Sequence, residues 1–119
     1  MRILGDDYEN RAVNLLQERG LFLLERNFSR KTGEIDIIAK EGDQLIFVEV
    51  RARSNRYFDS AAGSVNRHKQ QRILRTAQLF LQLHPQWANM PCRFDVIAFE
   101  PPHSGHSRRV RWIRSAFTA

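Results

Sequence analysis

Two short segments hold the side chains best placed to do chemistry. Gly33-Glu34-Ile35-Asp36-Ile37-Ile38 sets two acids among isoleucines, and Phe47-Val48-Glu49-Val50-Arg51 sets an acid and a guanidinium among valines. Side chains alternate along a strand, so Glu34, Asp36 and Ile38 share one face while Ile35, Ile37 and Ala39 share the other. On the second segment Phe47, Glu49 and Arg51 share a face, opposite Ile46, Val48 and Val50. Gly42-Asp43 between them suits a two-residue hairpin turn. That turn sets Ile38 opposite Phe47, Asp36 opposite Glu49 and Glu34 opposite Arg51. The all-apolar face must be buried, which fixes the register. Carboxylates opposed in this way have Cβ atoms about 4.5–5.5 Å apart, and they repel unless a proton or a divalent cation stands between them. In the plainer reading both acids are exposed or salt-bridged, with Glu34 and Arg51 as an ion pair. It fits less well, because the charges interrupt strands otherwise built for an interior.

The second chemical feature is cationic. Residues 51–75 carry seven Lys and Arg against Asp59 alone, an excess of +6 that equals the net charge of the whole chain. Arg67, His68, Lys69, Gln71, Arg72 and Arg75 form a polar wall along one predicted helix. Clustered cations of this kind are the footprint of a polyanion, most often nucleic acid; the bland alternative is a solvated basic face. Tyr57 and Phe58 lie in the same basic stretch, where they would stack on bases or anchor a loop.

These side chains need elements to hold them. Tyr8, Ala12, Leu15 and Leu16 fall on one stripe of a helix over Asp6–Arg19, with Asp6 as N-cap and Gly20 as the stop. Strands are predicted over Leu21–Phe28, Glu34–Lys40 and Gln44–Arg53, followed by a loop over Ser54–Gly63. A second helix over Val65–Leu83 presents Ile73, Ala77, Phe80 and Leu81 on one face and ends at Pro85. Cys92–Glu100 and Val110–Phe117 read as strands around a loop at His103–Ser107. The order αβββαββ makes this an α/β or α+β chain, and its 119 residues suit one domain spanning 1–119.

With 42% apolar and 27% charged residues, the composition excludes wholesale disorder. No apolar run approaches the ~20 residues that span a bilayer, and the N-terminus has no signal-peptide pattern, so no membrane partner and a cytoplasmic location are expected. The single cysteine, Cys92, forms no internal disulfide and reads as a core thiol. His103 and His106 have a metal-like spacing but no third ligand. Asp95, in an apolar strand, is expected to pair with Arg93 or Arg51 in a structural role.

Gly33-Glu34-Ile35-Asp36 followed by Glu49-Val50-Arg51 resembles the Asp…Glu-x-Lys signature of restriction-endonuclease-like, PD-(D/E)XK nucleases. The ordered set of Glu9, Asn27, Gly33-Glu34-Ile35-Asp36, Phe47-Val48-Glu49-Val50-Arg51-x-Arg53, Lys69 and Arg93-Phe94-Asp95-Val96 is similar to the small bacterial YraN-like proteins over nearly the whole chain. The resemblance implies a restriction-endonuclease-like core, a central mixed sheet with the hairpin at its middle and helices on its faces. It implies a Mg²⁺ or Mn²⁺ site at Glu9, Asp36 and Glu49. Asp36, Glu49, Arg51 and Lys69 would be the catalytic set, and Arg51, Arg53, Arg67, Lys69, Gln70 and Arg72 the nucleic-acid-binding one.

The expected activity is metal-dependent hydrolysis of phosphodiester bonds in DNA, including branched or damaged DNA. A nuclease that cuts both strands often works as a homodimer. Arg51 departs from the Lys of the signature: it stays protonated and cannot act as a base, although it can clamp a phosphate bidentately. That substitution keeps open a second function, a non-catalytic nucleic-acid-binding module on the same fold. A third, an interaction protein whose basic face meets an acidic protein or ribosomal RNA, has only the basic charge behind it.

Overall fold

The computed structural model describes residues 3–52, 65–100 and 109–118. Helix α1 covers Ile3–Glu18, followed by strands β1 (Phe22–Arg30), β2 (Gly33–Glu41) and β3 (Gln44–Ala52). Helix α2 covers Arg67–Leu83, a short 3₁₀ turn covers Pro85–Trp87, and strands β4 (Cys92–Phe99) and β5 (Val110–Phe117) complete the chain. The sheet runs in the order β1-β2-β3-β4-β5. All neighbours are antiparallel except β3 and β4, which pair in parallel across the α2 crossover. The chain is thus an α/β fold with a five-stranded mixed sheet, in the element order the sequence predicts.

Each helix covers one face of the sheet, which explains why β2 and β3 read as continuous apolar runs rather than as one oily and one wet face. Ala12, Val13 and Leu16 of α1 pack with Leu21, Ile37, Ala39, Ile46, Val48, Ile97 and Phe99. Ile73, Ala77 and Phe80 of α2 pack with Phe28, Ile35, Ile38, Leu45, Phe47, Phe94, Val96 and Ala98. Phe80 anchors that second layer, with the Phe28 ring edge-on at 5.2 Å and the Phe47 ring at 6.0 Å. Aromatic pairs in this geometry add about 0.5–1.5 kcal/mol beyond the area they bury.

The hairpin forms in the expected register, with Ile38 opposite Phe47 and Glu41 opposite Gln44. Gly42 makes the turn at φ +59°, a conformation that costs glycine little. Two expectations need correction. Helix α1 begins at Ile3, so Asp6 lies inside its first turn instead of capping it. Ile35 packs on the α2 side with Ile38, although strict alternation places it beside Ile37 on the α1 side. The pleat is interrupted between them. The β1 residue at that level, between the pairs Arg26–Ile37 and Phe28–Ile35, is Asn27, which adopts φ +55°.

No helix among the described residues is long and apolar enough to cross a membrane. Arg53, the 54–63 loop with Tyr57 and Phe58, and the 103–107 loop with His103 and His106 lie outside the described residues.

Candidate active site

The β2–β3 ladder stops at Ile37–Val48, one residue short of the two acids. Beyond that point the Asp36 carboxyl replaces a backbone partner: the Val50 N–H donates to Asp36 Oδ2 at 2.8 Å. Asp36 and Glu49 are both buried, at 7% and 6% exposure. Burial is the main cause that lifts the Asp36 carboxyl to about 8, and the neighbouring negative charge of Glu49 comes next. The Val50 N–H opposes the shift, while a hydrogen bond with Glu49 and the charge of Glu9 add to it. Burial and the neighbouring acid thus favour a proton held on Asp36 beside Glu49. The repulsion anticipated from the sequence is relieved by a shared proton.

Glu9 reaches the same neighbourhood from α1, between the buried Val13 and Leu16 stripe and β1, and is itself 1% exposed. Its Oε1 accepts from Arg26 Nε and Asn27 Nδ2, both at 3.0 Å. The left-handed backbone of Asn27 belongs to this arrangement. A strained strand residue beside buried charge marks a place where the surrounding structure dictates conformation. Arg26 gave no motif-level signal, and nothing in the sequence reveals the φ of Asn27.

Cations arrive from two directions. Lys69 Nζ of α2 lies 3.3 Å from Glu49 Oε1, and Arg51 Nη1 lies 3.7 Å from the same oxygen. Asn66 caps α2 by accepting the Lys69 N–H at 2.9 Å, which fixes the turn that carries this lysine. Arg72 is oriented by a bond from its Nε to the Thr32 carbonyl at 3.0 Å. The Thr32 and Thr76 hydroxyls meet at 2.7 Å, locking the β1–β2 turn onto α2. Gly33 makes this approach possible: a Cβ there would sit 3.3 Å from Thr76 Oγ1 and 3.4 Å from Arg72 Cβ.

Together these groups line a cleft of about 510 Å³ at the end of the hairpin: Gly33, Glu34, Asp36, Glu49, Val50 and Arg51 on the sheet side, Asn66, His68, Lys69, Arg72 and Ile73 on the helix side. Asn66 is an addition to the sequence-derived set, and His68 enters the cleft from the polar wall the sequence predicts. Arg67 and Gln70 do not line the cleft; they face a separate groove on the other flank of α2, because positions 67, 70, 71 and 74 follow one another around the helix away from 69, 72 and 73. Gln70 is also engaged locally, donating from Nε2 to the Val65 carbonyl at 3.0 Å.

Among the described residues, no three His, Cys, Asp or Glu side chains form a ready-made metal cluster. The donors a cation meets in the cleft are the Asp36–Glu49 pair, with Glu9 behind them engaged by Arg26 and Asn27. Two carboxylates completed by water and phosphate oxygens are what Mg²⁺ commonly takes, and Asp36 and Glu49 would be the two that hold it. The donor chemistry fits a divalent ion.

Asp95 is structural, as expected. It is fully buried and binds Arg93 Nε and Nη2 at 2.9 and 3.0 Å, Trp112 Nε1 at 2.9 Å and the Ser115 N–H at 2.9 Å. Cys92 is half-buried with its thiol against the Met90 carbonyl.

The family described as "Uncharacterised protein family UPF0102" matches residues 8–99, a stretch that includes every residue of the cleft. Similar relatives are UPF0102 proteins from Stutzerimonas stutzeri (strain A1501), 46% identical over 95% of this chain and 92% of the relative, and from Pseudomonas fluorescens (strain Pf-5), 43% identical over 95% and 91%. One from Alcanivorax borkumensis (strain SK2) is 43% identical over 95% and 90%.

Proposed function

Since the chain belongs to the UPF0102 family and shares the relatives' length almost end to end, we propose that it is a divalent-metal-dependent endonuclease of the restriction-endonuclease-like kind, hydrolysing phosphodiester bonds in DNA. The observation that carries this reading is the buried Asp36–Glu49 pair at the floor of a cleft whose helix wall supplies Lys69 and Arg72. A site that keeps a carboxyl proton at neutral pH in the metal-free state gives up that proton when a cation binds.

In this reading Asp36 and Glu49 would hold Mg²⁺ or Mn²⁺. Glu9 adds negative potential from behind, its position set by Arg26 and Asn27. A divalent ion supplies, when bound, Lewis-acid polarisation of the phosphoryl oxygen and neutralisation of its developing charge. The chain's own cations do the rest. Arg72, preset by the Thr32 carbonyl, and Arg51 draw the phosphodiester into the cleft and neutralise its non-bridging oxygens. Lys69, 3.3 Å from Glu49, orients the attacking water, standing in for the signature lysine that Arg51 replaces. Water oxygen bonds to phosphorus as the bond to the leaving sugar oxygen breaks. The water proton passes to solvent, and the leaving oxygen takes a proton from it.

The test is titration of Mg²⁺ and of Mn²⁺ against linear, nicked and four-way DNA, with Asp36→Ala alongside. Cation-dependent cleavage that vanishes in Asp36→Ala supports the proposal. Absence of cleavage on every substrate overturns it in favour of a second reading, a non-catalytic nucleic-acid-binding module. Arg51 favours that second reading, because its guanidinium cannot serve as a base.

A further inference from the structure

We propose that the groove on the far flank of α2 is a subsite for an unpaired nucleobase, belonging to the DNA strand whose phosphate lies in the cleft. The inference rests on the endonuclease reading and adds to it the kind of strand the protein holds. The groove, about 650 Å³, lies between the first turns of α2 and the end of β5 and is lined by Arg67, Gln70, Gln71, Leu74, Phe117 and Thr118.

The chemistry of this lining matches a nucleotide. Phe117 is a partly exposed ring stacked on Phe94 at 5.3 Å, so one of its faces is fixed and the ring is braced for contact from the other side. Stacking of bases on aromatic rings is the usual way single strands are gripped, and it tolerates any base. Gln71 is exposed on the groove wall, and among the described residues the Gln70 amide is engaged through its nitrogen, at Val65, which leaves its oxygen for a base edge. Arg67 is exposed at the mouth, where a guanidinium meets a phosphate.

Position ties this groove to the cleft. Both open along the N-terminal half of α2, the cleft on the Lys69 and Arg72 flank and the groove on the Arg67 and Gln71 flank. A helix with its side chains is about 10–12 Å across. A strand leaving the cleft therefore crosses the positively polarised end of α2 and enters the groove within a few nucleotides. A paired base cannot do this, because its faces are stacked on neighbours and its edge is occupied.

The test is binding to fluorescent oligothymidylate in EDTA, with the full chain, compared with an abasic chain of equal length and charge and with a duplex. The expected results are that the wild type prefers the oligothymidylate to the abasic chain, and that Phe117→Leu weakens oligothymidylate binding by roughly 5- to 150-fold, the range for removing one base stack. Gln71→Ala, a surface change that spares the core, should weaken it in the same direction, and neither variant should alter duplex binding. Equal affinity of the wild type for the oligothymidylate and abasic chains overturns the subsite. So do variants that bind oligothymidylate as the wild type does. If cation-dependent cleavage is still lost in Asp36→Ala, such a result removes the subsite alone. A protein that binds none of these nucleic acids refutes the subsite and the endonuclease reading together.

Discussion

Replacing Asp36 by asparagine separates the proton from the carboxylate. In the folded, metal-free protein the Asp36 carboxyl titrates near 8, against 3.8 for an unperturbed aspartate. Between these values the native state holds a proton that the unfolded chain has released. Stability is therefore fully present below about pH 4 and falls as pH rises toward 8, by about 1.4 kcal/mol per pH unit for one proton. From pH 5 to pH 8 the loss is on the order of 3 kcal/mol, a large part of the 5–15 kcal/mol typical of a domain. Asparagine mimics the neutral acid and has no proton to lose. Urea unfolding in EDTA at pH 5, 6, 7 and 8 should show Asp36→Asn already exceeding the wild type at pH 5, by about 1.6 kcal/mol, and exceeding it increasingly toward pH 8. Millimolar Mn²⁺ should reverse the wild-type trend, because the ion competes with the proton and stabilises only the folded state. A wild type whose stability relative to Asp36→Asn is constant from pH 5 to pH 8 would refute the shared-proton account.

Further outcomes follow from the geometry. Lys69→Ala and Arg72→Ala should each flatten the plot of log binding constant against log salt on duplex DNA by roughly 0.9, the slope carried by one neutralised phosphate, read by fluorescence anisotropy across a NaCl series; unchanged slopes would make α2 a solvated face. Asp95→Ala should cost about 3–5 kcal/mol in urea unfolding, since it removes the fully buried carboxylate that accepts from Arg93, Trp112 Nε1 and the Ser115 N–H, and a cost below about 1 kcal/mol would contradict the network. Asn27→Gly should cost only about 1 kcal/mol for removing the bond to Glu9. Asn27→Ala should cost a further ~1–2 kcal/mol for a left-handed residue bearing a Cβ, so the reverse order of urea midpoints would show that the backbone at Asn27 is not constrained.

What the sequence revealed and what it hid have the same physical origin. The hairpin register was legible because a Gly-Asp turn and two apolar runs leave one pairing. The convergence of Asp36 and Glu49 followed from that register. The helices were legible from their stripes, and Pro85 marks where α2 gives way to the 3₁₀ turn. The interrupted pleat at Asp36 was hidden because it depends on Asn27, a residue of another strand in a conformation that propensity does not encode. The partners of Glu9 were hidden for the same reason, being 17 and 18 residues away. The division of the basic wall was legible in principle: treating Arg67, Lys69, Gln70 and Arg72 as one surface overlooked the 100° step that sends Arg67 and Gln70 to the opposite flank of the helix from Lys69 and Arg72.

The two outer strands also have a bearing on solubility. A five-stranded open sheet exposes two rows of unsatisfied backbone groups, each a template on which another copy could polymerise. Here neither row is regular. On β1 the pairing shifts between Leu23 and Glu25, and Asn27 turns the chain out of its pleat. On β5 the pairing shifts opposite Phe94–Val96, and Ser115, at φ +51°, turns its N–H inward to Asp95. Arg111 and Arg114 stand half-exposed along the same strand. A second copy approaching edge-to-edge meets kinked backbone and like charge, so the sheet resists growing into a fibril. Any two-fold assembly of this α/β core would then have to form through helices or loops.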